Sequence, residues 1–331
     1  MTGLCFAQIV VPAEEVKLHD GRSLALHCEG TGAPLIVLEA GYGSDSLSWR
    51  RLQPLLAKDN RVCSYDRAGE RLVAPGPYPR DLNAMVSDLH ELASAADFPK
   101  PFVLVGHSMG GMTALLYTER YRTDVSALVL LDPGMSGMLQ AYRAQPHAKE
   151  KGEEVLDGLL QIDRCRVLAS ESSKRAYLLS ACSWRDSQLT EQQNEEQDRM
   201  IEQPAFWETL LSTDLALRAP QTAYGGYLKR FSRHEEAPLP FTPRSDETLD
   251  ERELRMAEHP LGTMPLVIVS VNSSPPDRQA WAIKRHHYEI KAKKLSRQGK
   301  VVDVGDTSHN VQLDQPARVS EIVSSVIKTL R

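Results

Sequence analysis

Five residues, Gly106-His-Ser-Met-Gly110, have the spacing that presents a serine hydroxyl for nucleophilic attack. They directly follow a continuous apolar run at 102–105, and the helical spacing at 109–121 begins directly after the serine. A serine on such a strand-to-helix turn has strained dihedrals, and its flanking glycines keep side-chain carbons away from neighbouring backbone. We predict that Ser108 is a nucleophile at the carboxyl edge of a sheet, where the helix dipole favours negative charge.

A serine nucleophile needs a base, and position singles out His309 among the ten histidines. His309 lies in a loop between the last apolar run and the last helical pattern of the chain. In a doubly wound sheet that loop emerges at the same edge as the serine turn. The chain order, with nucleophile first and histidine last, is also the order that sheets with this turn use. We predict that His309 is the general base.

Short apolar runs alternate with helical patterns along most of the chain. This alternation is typical of an α/β fold with a doubly wound, mostly parallel sheet. A hairpin around Asp20-Gly21 precedes it. The later predicted strands are 35–38, 61–65, 102–105, 127–131, 265–270 and 300–304, and the predicted helices are 47–56, 82–96, 109–121, 277–295 and 316–330.

The alternation stops at Asp132-Pro133 and resumes near residue 263. Between these points the sequence is polar and helix-rich, without strand-like apolar runs. We therefore expect an α/β core in two segments, 1–134 and 263–331, with a helical insertion at 135–262.

Composition and charge narrow the function classes. The 331 residues are 41% hydrophobic and 25% charged, as in a globular protein with a sizeable core. A net charge of −5 argues against nucleic acid as a partner. The basic stretch 284–300 has interleaved apolar residues and predicts an ordinary surface helix. No run approaches the ~20 apolar residues of an integral membrane segment.

Five cysteines are too few for a disulfide framework. Cys63 lies in an apolar run and is predicted to be a small core residue. Cys165 and Cys182 are close enough in sequence to bridge in an oxidising compartment, but reduced thiols are the expectation. Because Met1–Gln8 has no basic segment typical of a signal peptide, we expect a cytoplasmic protein. The alternative is an exported protein whose true start lies upstream.

The pattern resembles the α/β-hydrolase fold superfamily across nearly the whole chain outside the insertion. Three segments carry the resemblance: Gly-His-Ser-Met-Gly-Gly at 106–111, Leu-Glu-Ala-Gly-Tyr-Gly at 38–43, and Ser-His-Asn-Val-Gln-Leu-Asp-Gln-Pro at 308–316. The second resembles the family's oxyanion loop. The resemblance implies an oxyanion hole formed by the backbone N–H groups of Tyr42 and Met109. The segment 65–69, with Arg67, resembles a structural part of the sheet edge.

The acid of a Ser-His-acid triad has two candidates. The family usually places it after the seventh strand, where Ser273-Ser-Pro-Pro276 stands and the nearest carboxylate is Asp277. Some members use an acid after the sixth strand instead, and here that position is Asp132. We favour Asp132, with Asp277 as the alternative; a strand-end aspartate also commonly caps local backbone amides.

The resemblance implies a serine hydrolase that cleaves a carboxylic ester or related acyl bond of a small molecule through an acyl-enzyme. A serine nucleophile argues against the dehalogenase and epoxide-hydrolase branches, which use Asp. The insertion resembles the family's cap, which covers the nucleophile. We expect no metal and no cofactor, because the sequence has no His-Glu-x-x-His, paired-cysteine or phosphate-loop motif. The alternative is a non-catalytic small-ligand-binding protein on the same fold.

Overall fold

A computed structural model describes residues 13–135, 148–185, 187, 189–218, 261–273 and 278–330. The side chains of residues 148–157, 218 and 279 fall outside this description. Asp277, the alternative acid, lies outside the described residues, as do parts of the predicted insertion.

Eight strands form one twisted sheet in the order β1-β2-β4-β3-β5-β6-β7-β8. The β1–β2 and β2–β4 pairs are antiparallel, and the remaining pairs are parallel. This sheet confirms the predicted fold class and the hairpin at its edge. The strands are β1 Glu14–Lys17, β2 Ser23–Glu29, β3 Ile36–Glu39, β4 Val62–Asp66, β5 Phe102–His107, β6 Val125–Leu131, β7 Leu266–Asn272 and β8 Gly299–Asp306.

Helices cover both faces of the sheet, which explains why the central strands are continuously apolar. Every residue of β3, β5 and β7 is buried. Successive residues alternate between two cores, so that Leu104 belongs to one and its neighbours Val103 and Val105 to the other. Because both cores need apolar partners, the strands show no polar alternation.

Ten α-helices lie in the described part of the chain. They are α1 Gln53–Leu56, α2 Leu82–Ala95, α3 Met109–Arg120, α4 Ala148–Ala169, α5 Arg175–Cys182, α6 Glu191–Ile201, α7 Pro204–Arg218, α8 Arg278–Leu295, α9 Val311–Asp314 and α10 Pro316–Lys328. The single helix predicted at 47–56 is instead a 3-10 turn, Ser46–Trp49, followed by α1. Pro54 explains the break, because proline fits the first turn of a helix and not its interior.

Helices α4 to α7 lie between β6 and β7 in the chain, and we call them the helical segment. This segment has a small core of its own. The residues of that core are Cys165, Leu168, Leu178, Cys182, Met200, Ile201, Phe206 and Trp207. Of the helices that the structure describes, none is long and apolar enough to cross a bilayer.

The expectation of reduced thiols is wrong for Cys165 and Cys182, which form a disulfide. Cys63 is a buried core residue, as predicted, but it also forms a disulfide with Cys28. Cys28 and Cys63 stand directly opposite each other in the antiparallel β2–β4 pair, which brings their side chains together. The bridge at Cys165 joins α4 to α5 inside the helical segment. The Cys28–Cys63 pairing depends on strand register, which the cysteine spacing alone does not reveal.

Candidate active site

The turn between β5 and α3 holds Ser108 in a strained conformation, with φ 54° and ψ −118°. Glycine is required on both sides of it. A side-chain carbon on Gly106 would overlap the carbonyl oxygen of Gly110, and one on Gly110 would overlap that of Ala40. The sequence-based steric interpretation of the motif therefore holds, and the serine turn packs backbone to backbone against the loop after β3.

Backbone hydrogen bonds join the serine turn to the loop after β6. The N–H of Ser108 donates to the carbonyl of Leu131 at 3.0 Å. The carbonyl of Ser108 in turn accepts from the N–H groups of Gly111 at 3.0 Å and Gly134 at 3.2 Å. Ser108 itself is half-buried. These bonds hold the ends of β5 and β6 in fixed register around the hydroxyl.

Asp132 is the first residue after β6, at the same edge as Ser108. It also has a left-handed backbone, with φ 42°, which is rare for a residue other than glycine. Its side chain is buried, and its Oδ2 lies 2.7 Å from Nδ1 of His309. Strained non-glycine residues are concentrated at functional sites. Here two of them, Ser108 and Asp132, directly follow the neighbouring strands β5 and β6. The structure thus brings the favoured acid candidate to the histidine.

His309 lies in the loop between β8 and α9. Asp314 shapes this loop by accepting hydrogen bonds from the hydroxyl of Thr307 and the N–H of Ser308. The His309 side chain is 46% exposed. One ring edge contacts Asp132, and the ring also lies against that of His107, with the two ring centres 4.7 Å apart. The described residues show no hydrogen bond between Ser108 and the His309 ring. In unliganded hydrolases this bond commonly shortens only when substrate binds.

His107, which precedes the serine, supports the same loop. Its buried Nε2 donates to the carbonyl oxygen of His309 at 2.9 Å, and its Nδ1 accepts from the Gln312 amide at 3.4 Å. Burial, together with the nearby charge of His309, lowers the pKa of His107 to about 4, so the ring is neutral at neutral pH. This hydrogen bond leaves no local signal in the sequence, since it joins residues 202 positions apart.

Two side chains of α8 also contact the acid. Nζ of Lys284 lies 2.8 Å from Oδ1 of Asp132 and 3.1 Å from Oδ2. The hydroxyl of Tyr288 donates to Oδ1 at 3.3 Å and to the carbonyl of Pro133 at 2.7 Å. Burial works to raise the pKa of Asp132, but the His309 hydrogen bond and the Lys284 charge outweigh it and hold that pKa below its ordinary value.

Lys284 therefore differs from the surface residue that the sequence predicted. Its side chain is only 11% exposed, because it points toward the sheet edge. The sequence signal that could have found it is weak: a lysine one helical turn before Tyr288, on the same face of α8.

The loop after β3 carries Tyr42, and α3 begins at Met109. The N–H groups of a first helical turn have no acceptor within the helix, so that of Met109 is available at the serine turn. Gly110 packs against the carbonyl groups of Glu39 and Ala40. The two predicted oxyanion donors thus belong to backbone segments in direct contact.

Arg67 holds the loop that carries Tyr42. Its buried guanidinium donates to the carbonyl groups of Ala40 at 2.7 Å, Gly41, and Ser44 at 3.3 Å. In a planar trans peptide the C=O and the following N–H point in opposite directions. Because Arg67 donates a hydrogen bond to the carbonyl of Gly41, it also fixes the direction of the Tyr42 N–H.

Two buried carboxylates balance this cation. Arg67 pairs with Glu39 at 2.8 Å and with Glu70 at 2.9 Å, and the Tyr65 hydroxyl donates to Glu39. Burial raises the pKa of Glu39 and raises that of Glu70 to about 7, against the lowering charge of Arg67. The segment 65–69 is structural, as the sequence indicated, and its structural role is to hold the candidate oxyanion loop.

Helix α7 of the helical segment rests on this same loop. The hydroxyl of Tyr42 donates to the main-chain carbonyl of Leu210 at 3.2 Å. A side-chain carbon on Gly69 would overlap Thr209, so the helix lies directly against the core. Nearby, the N–H of Arg80 donates to Ser212 at 3.0 Å.

Known proteins are similar in sequence to part of this chain. The protein YqjL of Bacillus subtilis (strain 168), which is uncharacterized, is 33% identical over 109 residues, covering 33% of this chain and 43% of YqjL. The 2-hydroxy-6-oxo-6-(2'-aminophenyl)hexa-2,4-dienoic acid hydrolase of Metapseudomonas resinovorans is 32% identical over 112 residues, covering 33% of this chain and 38% of that enzyme. The chain thus aligns with less than half the length of either relative.

Solved structures match over nearly the full length. The crystal structure of DbjA has a TM-score of 0.65 at 14% identity and covers 97% of this chain and 98% of that one. The epoxide hydrolase CorEH has a TM-score of 0.61 at 17% identity, with 96% and 99% covered. At such identities the likeness is one of fold. The sequence profile of the alpha/beta hydrolase family matches residues 36–322. The chain belongs to the alpha/beta hydrolase family.

Proposed function

We propose that the protein is a serine hydrolase that cleaves a carboxylic ester or related acyl bond of a small molecule. The observation that carries the proposal is the 2.7 Å contact between Asp132 and His309 at the edge that also presents Ser108. The residue at the turn bears a hydroxyl, so the covalent intermediate would be an acyl-enzyme.

Each residue would have one role. His309 donates its Nδ1–H to Asp132, which leaves Nε2 to accept the proton of Ser108. The serine oxygen attacks the acyl carbon, and the N–H groups of Tyr42 and Met109 hold the resulting oxyanion. Collapse breaks the ester bond, and the leaving alcohol takes the proton from His309. A water then attacks the acyl-enzyme, gives a proton to His309 and releases the acid as Ser108 recovers its proton.

The helical segment would act as a cap, with the insertion spanning 135–262 between core segments 1–134 and 263–331. The contact of α7 with the loop of Tyr42 supports this role. A cap there would exclude water from the oxyanion and shape the acyl pocket.

The two disulfides favour the exported alternative over a cytoplasmic protein. Disulfides persist in oxidising compartments and are rare where glutathione keeps thiols reduced. Fractionation of the native host, with non-reducing and reducing electrophoresis of the protein, would test this. Recovery in the cytoplasm with reduced thiols would contradict it.

Hydrolysis of p-nitrophenyl esters of increasing chain length tests the catalytic proposal. We expect activity in the wild type that Ser108→Ala loses, and labelling of Ser108 by a fluorophosphonate. Thr113→Ala, a buried change in the same helix, serves as the matched folding control. Labelling without ester hydrolysis would point to another acyl substrate. A folded protein that neither hydrolyses nor labels would contradict the proposal and favour a binding protein.

A further inference from the structure

The Asp132 carboxylate holds a cation and the histidine at once. Lys284 reaches both of its oxygens, and Oδ2 is shared with Nδ1 of His309. The lysine comes from α8 and lies 152 positions after the aspartate, so the tertiary fold creates the contact. In the triad arrangement the acid needs only to orient and stabilise the imidazolium. A cation on the same carboxylate weakens the stabilisation of the imidazolium.

We propose that Lys284 is a positioning residue that acts through Asp132 and extends the activity of Ser108 and His309 toward lower pH. The inference rests on the proposed function, since it assigns a role within that triad. Lys284 touches neither the serine nor the histidine; it changes the charge that the histidine faces.

The proposed effect of Lys284 on His309 is electrostatic. Nζ of Lys284 lies 3.1 Å from Oδ2, which lies 2.7 Å from Nδ1 of His309, so the two nitrogens are at most about 6 Å apart. Without the lysine, Asp132 would present a full negative charge to the imidazolium and stabilise it. With the lysine, carboxylate and ammonium nearly cancel, so the imidazolium receives less electrostatic stabilisation from this carboxylate. The neutral ring that activates Ser108 is favoured to the same extent.

Among the described residues near Asp132 and His309, Lys284 is the cationic side chain that contacts Asp132. His107, on the serine turn, is neutral at neutral pH because burial depresses its pKa. On either side of the His309 loop, Asp306 at the end of β8 accepts from the Asn272 amide, and Asp314 at the end of α9 accepts from the N–H of Ser308. On α8, the neutral hydroxyl of Tyr288 donates a hydrogen bond to Asp132.

The next cation along α8 has other partners. Arg285 pairs with Glu289 at 3.3 Å and with Asp303 at 3.6 Å, so carboxylates other than Asp132 balance its charge. Lys284 is therefore the cation of α8 that offsets the charge of Asp132.

The test is an NMR titration of the His309 ring in the wild type, Lys284→Met, Lys284→Arg and Lys293→Met. Lys293 is exposed on the same helix, so its replacement is the matched control. We expect Lys284→Met to raise the titration midpoint by about one pH unit, since partial exposure of His309 screens the charge. Lys284→Arg and Lys293→Met should leave it within a few tenths. If Lys284→Met does not fold, Lys284→Gln replaces it.

The pH dependence of fluorophosphonate labelling provides the second readout. We expect the acid limb of the labelling rate to move up with the NMR midpoint in Lys284→Met. An unchanged midpoint would overturn the inference and make Lys284 a structural tether. Because the NMR titration needs no catalysis, it still reports on Lys284 if Ser108 fails to label. A folded protein that neither labels nor hydrolyses esters would overturn the proposed function, whereas the NMR midpoint decides the electrostatic effect of Lys284.

Discussion

Replacing Arg67 by lysine keeps the charge but removes the forked geometry that holds the candidate oxyanion loop. The guanidinium donates to Glu39, to Glu70 through two nitrogens, and to three carbonyl groups. The guanidinium has five N–H protons for these contacts and a lysine ammonium has three, so at least two donors are lost. A hydrogen bond to a charged group is worth about 1.5–3 kcal/mol. We therefore expect Arg67→Lys to lower the free energy of unfolding by about 3–5 kcal/mol.

Urea unfolding followed by tryptophan fluorescence measures this loss. Arg318→Lys is the matched control, because Arg318 is exposed and, among the described residues, its ion pair is with nearby Glu321; its effect should stay below about 0.5 kcal/mol. Where Arg67→Lys remains folded, fluorophosphonate labelling of Ser108 should slow about tenfold to hundredfold, since the Tyr42 N–H loses its fixed direction. A loss of less than about 1 kcal/mol with unchanged labelling would refute the reasoning. The charge alone would then hold the loop.

Three further predictions follow from the same contacts. Asp132→Asn should lower kcat/KM for a cleaved ester about 10⁴-fold, since the amide selects the wrong imidazole tautomer; a loss below tenfold would shift the acid role to Asp277, tested with Asp277→Asn. His107 has its pKa lowered to about 4 from 6.5, so its contribution to stability is full above about pH 6.5 and falls by about 3 kcal/mol as the pH drops to 4. His107→Gln should flatten that part of a stability–pH curve from urea unfolding, and an unchanged slope would contradict the assignment. Replacing Cys165 and Cys182 together by serine should cost about 3 kcal/mol in thermal or urea unfolding, as expected for a bridge that closes a 17-residue separation; equal stability of the variant and the oxidised wild type would argue against the bridge.

The residues that local sequence could identify are those whose signal lies in adjacent elements. Ser108 has a strand before it and a helix after it, and His309 lies in the last loop at the same edge. Asp132 needed one more assumption, the position of the acid after the sixth strand. Each of these positions follows from where a strand ends, and strand ends were predicted well because buried strands are continuously apolar.

The contacts that the sequence did not predict join residues that are far apart along the chain. Lys284 meets Asp132 across 152 positions, and the Cys28–Cys63 bridge depends on which strands pair. Arg67 reaches the loop of Tyr42 because β3 and β4 are neighbours in the sheet. A polar residue in a charged helix or at a strand end gives no local sign of such a partner. Side-chain partners of this kind are set by tertiary packing, which periodicity does not encode.

The hydrogen bond from Tyr42 to α7 ends on a main-chain carbonyl, that of Leu210. Every amino acid supplies the same acceptor, so substitutions at residue 210 other than proline, which would distort the helix, leave the bond in place. The leucine side chain itself lies beside Gly43, over the candidate oxyanion loop. Evolution or a laboratory library could therefore vary residue 210 to alter the space above this loop while the helix stays anchored. If the proposed acyl cleavage holds, position 210 is a good first site for saturation mutagenesis aimed at the acyl chain length.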